Sequence, residues 1–532
     1  MHLIKKIPHK IYAIHLVILL FLLAKNPFST RTLIPNLEPY PDTIYYISSA
    51  MSFIKGETII PTTIPPLYSL FLLPFFVLKS DARMFYVGNA ILSLASLTFF
   101  YLTIRRLARN NLIMGMSLFL YVTNYFIYWY PSLAMAENLT LTLFNVSTYL
   151  LLARSNKRSS ILSGILVIAF YMTKYASLPL SAIYFFAYSI KVAKDKAKNK
   201  LMNFLFFVGS SILVFLIFSL WEFCTKGSTL IATIFNTIGS LLLNSQKQVG
   251  NIAATNDWFS FGYLSTHLPE YLRAIVGGYS VRFLWEGTPL IPFFVGSTGI
   301  LGLFIGLRSQ KTRHICGSLI GMLFISILFM STFYAIDMRY LYHAIPTLII
   351  GFVIFWETLK SFVTRFTVLK KIGSLVFIGL LLFYFTGSVV RLKTQISINL
   401  RYAETPWYYL SVIQMNEYFK TKTSKKPYVI TAMIPYYVDY FSNHNYKLLP
   451  LSPSQDFFKK YNKTIWGKDN YSDLTRLYQK KISQNNEVYL LSYLGSDGNI
   501  KKDMEEIQKN FSLTLVKTGC YGSCNIWKIN IK

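Results

Sequence analysis

A chain of 532 residues that is 53% hydrophobic, 17% aromatic and only 14% charged is too apolar for a soluble enzyme of ordinary composition, so a bilayer must be the solvent for most of it. The formal charge of +30 does not point to nucleic acid, because most of the Lys and Arg residues before 393 stand in short clusters between apolar runs; a nucleic-acid face would gather them on a soluble surface with aromatics interleaved. Runs able to cross about 30 Å of hydrocarbon lie near 9–25, 84–104, 111–129, 133–153, 159–173, 175–190, 201–223, 289–307, 315–335, 341–357 and 373–391. These make about eleven spans at the usual length of a membrane helix. A further run, 65–78, is apolar but short, opens with Pro65 and Pro66 and carries Pro74 inside.

Charge decides how to treat that run, since Lys and Arg accumulate in loops that stay in the cytoplasm. If 65–78 does not span, one side receives Lys5, Lys6 and Lys10, then Arg105, Arg106 and Arg109, then Arg154, Lys157 and Arg158. The same side takes the lysines from Lys191 to Lys200, then Arg308, Lys311 and Arg313, and the cluster from Lys360 to Lys371. The short turns opposite hold only Lys174 and Arg339. Counting 65–78 as a span would throw the second, third and fourth clusters to the opposite side from the first. It is therefore expected to be juxtamembrane or re-entrant against the outer leaflet.

The resulting expectation is a multi-pass plasma-membrane protein with a cytoplasmic N-terminus. Residues 25–83 form one outer loop, and 225–288 form a second that contains Trp258, Tyr263, Tyr271 and Trp285. The first span starts basic like a signal peptide, but no small-x-small cleavage site follows Ala24, so an uncleaved anchor is expected. Residues 1–393 then read as a polytopic α-helical membrane domain and 394–532 as a soluble extracytoplasmic α/β domain. In that tail, Tyr428–Ala432 and 487–493 are strand-like and bounded by turn formers. Helices are expected over 406–420, 472–483 and 501–510, with 511–516 and 525–531 as a closing hairpin. Cys520 and Cys524 lie on the oxidising side, where they would either pair across the hairpin or remain free. Cys224 and Cys316 read as packing residues.

Five ionisable residues fall at the outer ends of spans, where charge beside hydrocarbon is costly: Asp42, Glu137, Lys174, Asp337 and Arg339. Each has an ordinary explanation taken singly. Asp42 after Pro41 suits a helix N-cap, Glu137 suits a helix start, Lys174 can reach the headgroups, and Arg339 can pair with Asp337. The middles of the spans are almost free of charge, which argues against a proton relay or an ion-coupled pump.

In order and context these residues resemble the GT-C glycosyltransferases, in particular the protein O-mannosyltransferases and the lipid A aminoarabinose transferases. Asp42-x-x-Tyr45-Tyr46 with Ala50 and Gly56 is similar to that family's first outer loop. Pro65-Pro66-Leu67 is similar to its Pro-Pro-Leu before a segment that does not span. Ala136-Glu137-Asn138-Leu139, Thr173-Lys174, and Arg339-Tyr340 with Pro346 beyond resemble its acidic and basic outer positions. The sequence departs from the family at Thr43, where many members have a second acid, and at Ile64, where many have Lys or His.

The resemblance implies transfer of a sugar from a polyprenyl-phosphate donor to an acceptor hydroxyl of a protein, lipid or glycan outside the membrane. Phosphate is already a weak base and leaves without a general acid, so one carboxylate acting as base suffices and the reaction inverts. Asp42 takes that role in this reading and Glu137 is the second catalytic residue. Lys174, Arg339 and His343 bind the donor phosphate, while Tyr45, Tyr46 and Tyr340 bind substrate. A divalent metal stays open, although Thr43 after Asp42 leaves no second carboxylate to hold it, and no cofactor is assigned. Membrane lipids are the remaining partner. Two other classes stay open at this stage: a transporter or flippase of a lipid-linked glycan, and a non-catalytic scaffold with an outer binding domain.

Overall fold

The computed structural model describes residues 65–79, 84–124, 126–127, 130–132, 134–194, 199–226, 259–278, 289–333, 336–363, 407–422, 427–432, 445–451, 471–492, 501–519 and 524–532, with isolated positions between them. The expected spans 9–25 and 373–391 lie largely outside these residues. The chain divides into two compact units. The first comprises Met1–Pro27, Pro65–Phe71 and Phe85–Ile398, and the second comprises Phe28–Ile64, Leu72–Met84 and Asn399–Lys532.

Helix α1, Leu67–Leu78, is 12 residues long, or about 18 Å at the usual rise per residue, well short of the hydrocarbon thickness. Prolines just before it suit a helix start. From there the first unit is helical: α2 Met84–Leu107, α3 Asn111–Val122, α4 Glu137–Leu152, α5 Lys157–Thr173, α6 Leu178–Lys194, α7 Lys200–Lys226, α8 Leu264–Ile275, α9 Phe293–Arg308, α10 Arg313–Ser331 and α11 Ala344–Val363. Among the described residues four helical stretches are long and apolar enough to cross a membrane: Met84–Leu107, Tyr175–Lys194, Lys200–Cys224 and Arg313–Ser331. Along α7 only 17% of the most apolar window is buried, and Leu205, Leu213, Leu216 and Leu220 face outward. So large an apolar surface is stable against lipid and not against water.

Two devices hold the helices in register. Between α9 and α11, Gly302 meets Gly351 so closely that a Cβ at 302 would lie 1.9 Å from the Gly351 carbonyl oxygen. Small residues permit this approach where no hydrophobic effect drives helices together. Between α2 and α4 the device is polar. Asn138 Nδ2 donates to the Asn89 carbonyl at 2.8 Å, Ser93 Oγ to Asn138 Oδ1 at 3.3 Å, and Asn145 Nδ2 to Ser96 Oγ at 2.8 Å. Tyr68 of α1 donates to Asn89 Oδ1 at 2.7 Å. The buried amides thus satisfy one another, and they fix the first turn of α4, where Glu137 stands.

The second unit carries a five-stranded sheet in the order β2-β1-β3-β5-β4. Its strands are β1 Tyr428–Ala432, β2 Lys447–Leu449, β3 Glu487–Ser492, β4 Phe511–Gly519 and β5 Cys524–Ile531. β1 pairs in parallel with β2 and β3, and β5 runs antiparallel to both β3 and β4. Helices α12 Trp407–Lys420, α13 Tyr471–Ser483 and α14 Lys501–Asn510 cover it according to the period of two along each strand. Val429, Val488 and Leu490 pack with Tyr478 of α13 and Ile507 of α14. On the opposite face, Tyr428 stacks on Phe419 of α12 and Tyr489 meets it edge-on, with ring centroids 4.4 and 4.9 Å away. The proposed Cys520–Cys524 pairing involves a residue outside the described set.

Candidate active site

The site lies in the first unit and is assembled from three turns. Glu137 opens α4, where a carboxylate is favoured by the exposed N–H groups and the helix dipole. Lys174 ends α5, its backbone already extended at φ −158°. Between α10 and α11 a short 3-10 turn, Met338–Leu341, is capped by Asp337, whose side chain accepts from the Arg339 N–H at 2.9 Å.

Across these turns, Lys174 Nζ is ion-paired with Glu137 Oε1, and Arg339 Nε lies 2.6 Å from Asp337 Oδ2. Both cations address one aromatic ring. Lys174 Nζ stands 4.4 Å from the Tyr340 centroid and the Arg339 guanidinium carbon 5.2 Å from it, both within cation–π range. Arg339 Nη2 also donates to the Tyr340 hydroxyl at 3.3 Å. From helix α8, the hydroxyl of buried Tyr271 accepts from the Asp337 N–H at 3.2 Å.

The carboxylate of Glu137 is 2% exposed and the Lys174 side chain 16%. Burial pulls the Lys174 ammonium below the ordinary lysine range, with the Glu137 charge opposing that shift. Burial likewise pushes Asp337 above the usual carboxylate range, against the pull of Arg339. Glu137, Lys174, Arg339 and Tyr340 border a small cavity, whose lining also includes Thr140, Ser326 and His343.

Of the residues expected from sequence, Glu137, Lys174, Arg339, Tyr340 and His343 come together here. Tyr46 is buried within a helical stretch, whereas Asp42 and Tyr45 lie outside the described residues. Asp337 is paired with Arg339, as its spacing allowed. Ser326 and Thr140 carry no sequence signal, while Tyr271 is expected only as one aromatic of the 225–288 loop. A serine or threonine in an apolar span carries no motif, and Ser326 reaches the cavity only because α10 packs beside the 338–341 turn. Among the described residues no group of three or more His, Cys, Asp or Glu side chains could hold a metal.

This helical arrangement, with its charged turns grouped on one cavity, is a fold that the chain shares with solved structures. The solved structures that share the fold include ArnT from Cupriavidus metallidurans bound to undecaprenyl phosphate, at a TM-score of 0.61, with 11% identity and 97% of each chain covered. The apo state of the same protein superposes at 0.59, again with 11% identity and 97% of each chain covered. At this identity the likeness establishes the fold. No protein-family model and no curated protein sequence matches the chain.

Proposed function

We propose that this chain is a membrane glycosyltransferase that moves a sugar from a polyprenyl-phosphate carrier to an acceptor hydroxyl of a protein, lipid or surface glycan on the outer face, with inversion. The observation that carries this reading is the convergence of Lys174 and Arg339 on Tyr340 at a cavity, in a fold shared with a protein whose structure holds undecaprenyl phosphate. In this reading residues 1–393 carry the chemistry, 394–532 form an extracytoplasmic domain, and the N-terminus is cytoplasmic.

In the reaction, the acceptor oxygen attacks the anomeric carbon and the bond from that carbon to the phosphate oxygen breaks. The electron pair leaves with the phosphate, so a diester monoanion becomes a monoester that gains one negative charge. Lys174 and Arg339 are the groups positioned to stabilise that charge as it develops, and a fixed cation in a partly dehydrated site is effective at this. Glu137 holds Lys174 in place. The acceptor proton passes to a carboxylate, assigned here to Asp42 on the sequence argument, with Tyr45 and Tyr46 as substrate contacts. His343 belongs to the same cavity.

Incubating the purified protein with undecaprenyl-phosphate sugars and scoring transfer or hydrolysis tests the activity. Asp42→Asn should lower turnover by about a hundredfold or more, the usual contribution of a general base, while leaving donor binding intact. Near-normal turnover by that variant would remove Asp42 from the role.

A further inference from the structure

Three buried polar atoms on the cavity wall have no hydrogen-bond partner: Glu137 Oε2, Ser326 Oγ and His343 Nε2. Glu137 and Ser326 are each 2% exposed and His343 is 3% exposed. Buried polar atoms without partners are costly and uncommon in folded proteins, and here three of them belong to residues that line one cavity.

Their chemistry distinguishes between ligands. His343 is hydrogen-bonded to the backbone of Met322. Since Nε2 has no partner, that bond falls on Nδ1. Met322 lies in the middle of α10, where its N–H is already spent in the helix, so its carbonyl accepts from Nδ1–H. With the proton on Nδ1, Nε2 carries a lone pair. Glu137 Oε2 also accepts, while the Ser326 hydroxyl both donates and accepts. The two acceptors, one of them a carboxylate oxygen, disfavour a phosphate, whereas a ring of hydroxyl groups brings a donor to each of them and either partner to Ser326. The charges at the site are already matched, Glu137 with Lys174 and Asp337 with Arg339, so no surplus negative charge invites an ammonium group.

We infer that Glu137, Ser326 and His343 form the sugar subsite and select an uncharged, hydroxylated sugar, with His343 serving the sugar and not the phosphate. This rests on the reading of the cavity as a polyprenyl-phosphate-sugar site and deepens it.

The test uses the full-length protein in nanodiscs and three probes: undecaprenyl phosphate, its mannosyl phosphodiester, and an analogue of that diester with an ammonium in place of one sugar hydroxyl. Wild type should bind the mannosyl lipid more tightly than the bare phosphate and more tightly than the ammonium analogue. Ser326→Ala and His343→Leu should each cost about three- to tenfold in affinity for the mannosyl lipid, the scale of one neutral hydrogen bond, and leave affinity for bare undecaprenyl phosphate within about twofold. Equal losses for both lipids, no loss for either, or preference for the ammonium analogue would overturn the sugar assignment while leaving the donor class standing. Failure of wild type to bind bare undecaprenyl phosphate would instead overturn the parent reading. The unchanged bare-lipid affinity also serves as the check that each variant is folded.

Discussion

Glu137 and Lys174 are joined as an ion pair although they stand 37 positions apart and belong to the ends of different helices. A pair this buried is a poor source of net stability, yet removing one partner strands the other without compensation. Lys174→Met should therefore destabilise the first unit by about 3–5 kcal/mol, as well as weaken undecaprenyl phosphate binding. The double variant Glu137→Gln with Lys174→Met should recover most of the thermal stability and none of the binding. Thermal unfolding in detergent alongside a lipid-binding titration separates the two effects. If the double variant stays as unstable as the single one, the pair is not the cause.

The same burial makes a statement about pH. Anion binding needs the ammonium form of Lys174, which exists below its pKa, and burial lowers that pKa. Affinity for undecaprenyl phosphate should therefore be retained at neutral and mildly acidic pH, then fall as pH rises through the lowered value, before an ordinary lysine near 10.4 would discharge. Lys174→Arg keeps a charge that does not titrate in this range, so its affinity should show no such alkaline fall. An identical fall in wild type and variant would place the titrating group elsewhere.

Much of the helical frame is legible in hydropathy, and the charge count alone sets Pro65–Leu78 apart, because length and Lys/Arg placement are properties of the chain. Lys174 and Arg339 were singled out for a similar reason, as isolated cations at span ends. Their convergence on Tyr340 was not readable, since it depends on how the α5–α6 and α10–α11 turns meet in space. Ser326 was invisible because its importance comes only from the neighbours packing brings to it. The pairing of Asn89 with Asn138 left a fainter signal: Asn89, Ser93 and Ser96 on one helix and Asn138, Thr142 and Asn145 on the other repeat at i, i+4, i+7, which marks one polar stripe on each helix. Strand β2, of three residues, was too short to carry an alternation.

Gly302 provides a test of the frame apart from the chemistry. Its Cβ would fall on the backbone of Gly351, where no side chain can swing away. Gly302→Ala should force α9 and α11 apart and cost about 1–3 kcal/mol, as overpacking usually does, while Gly317→Ala, whose Cβ would meet its nearest neighbour, Leu307, at 3.7 Å, should be nearly neutral. Apparent melting temperatures of the two purified variants decide the matter, and equal values would mean that the α9–α11 contact adjusts freely.

Tyr340 separates two ways in which the site could hold its cations. If the ring face matters, Tyr340→Phe should keep donor affinity within about threefold of wild type, because both Lys174 at 4.4 Å and Arg339 at 5.2 Å retain their aromatic surface. Tyr340→Leu removes that surface, and with cation–π contacts worth about 0.5–2 kcal/mol each, affinity for undecaprenyl phosphate should drop by about tenfold or more. If the hydroxyl matters instead, through its 3.3 Å contact with Arg339, the phenylalanine variant should lose as much as the leucine one. Isothermal titration of both variants with undecaprenyl phosphate distinguishes the two cases. The intact ion pairs on either side, Glu137–Lys174 and Asp337–Arg339, keep each cation anchored in both variants, so a difference between Phe and Leu reports the orientation imposed by the ring.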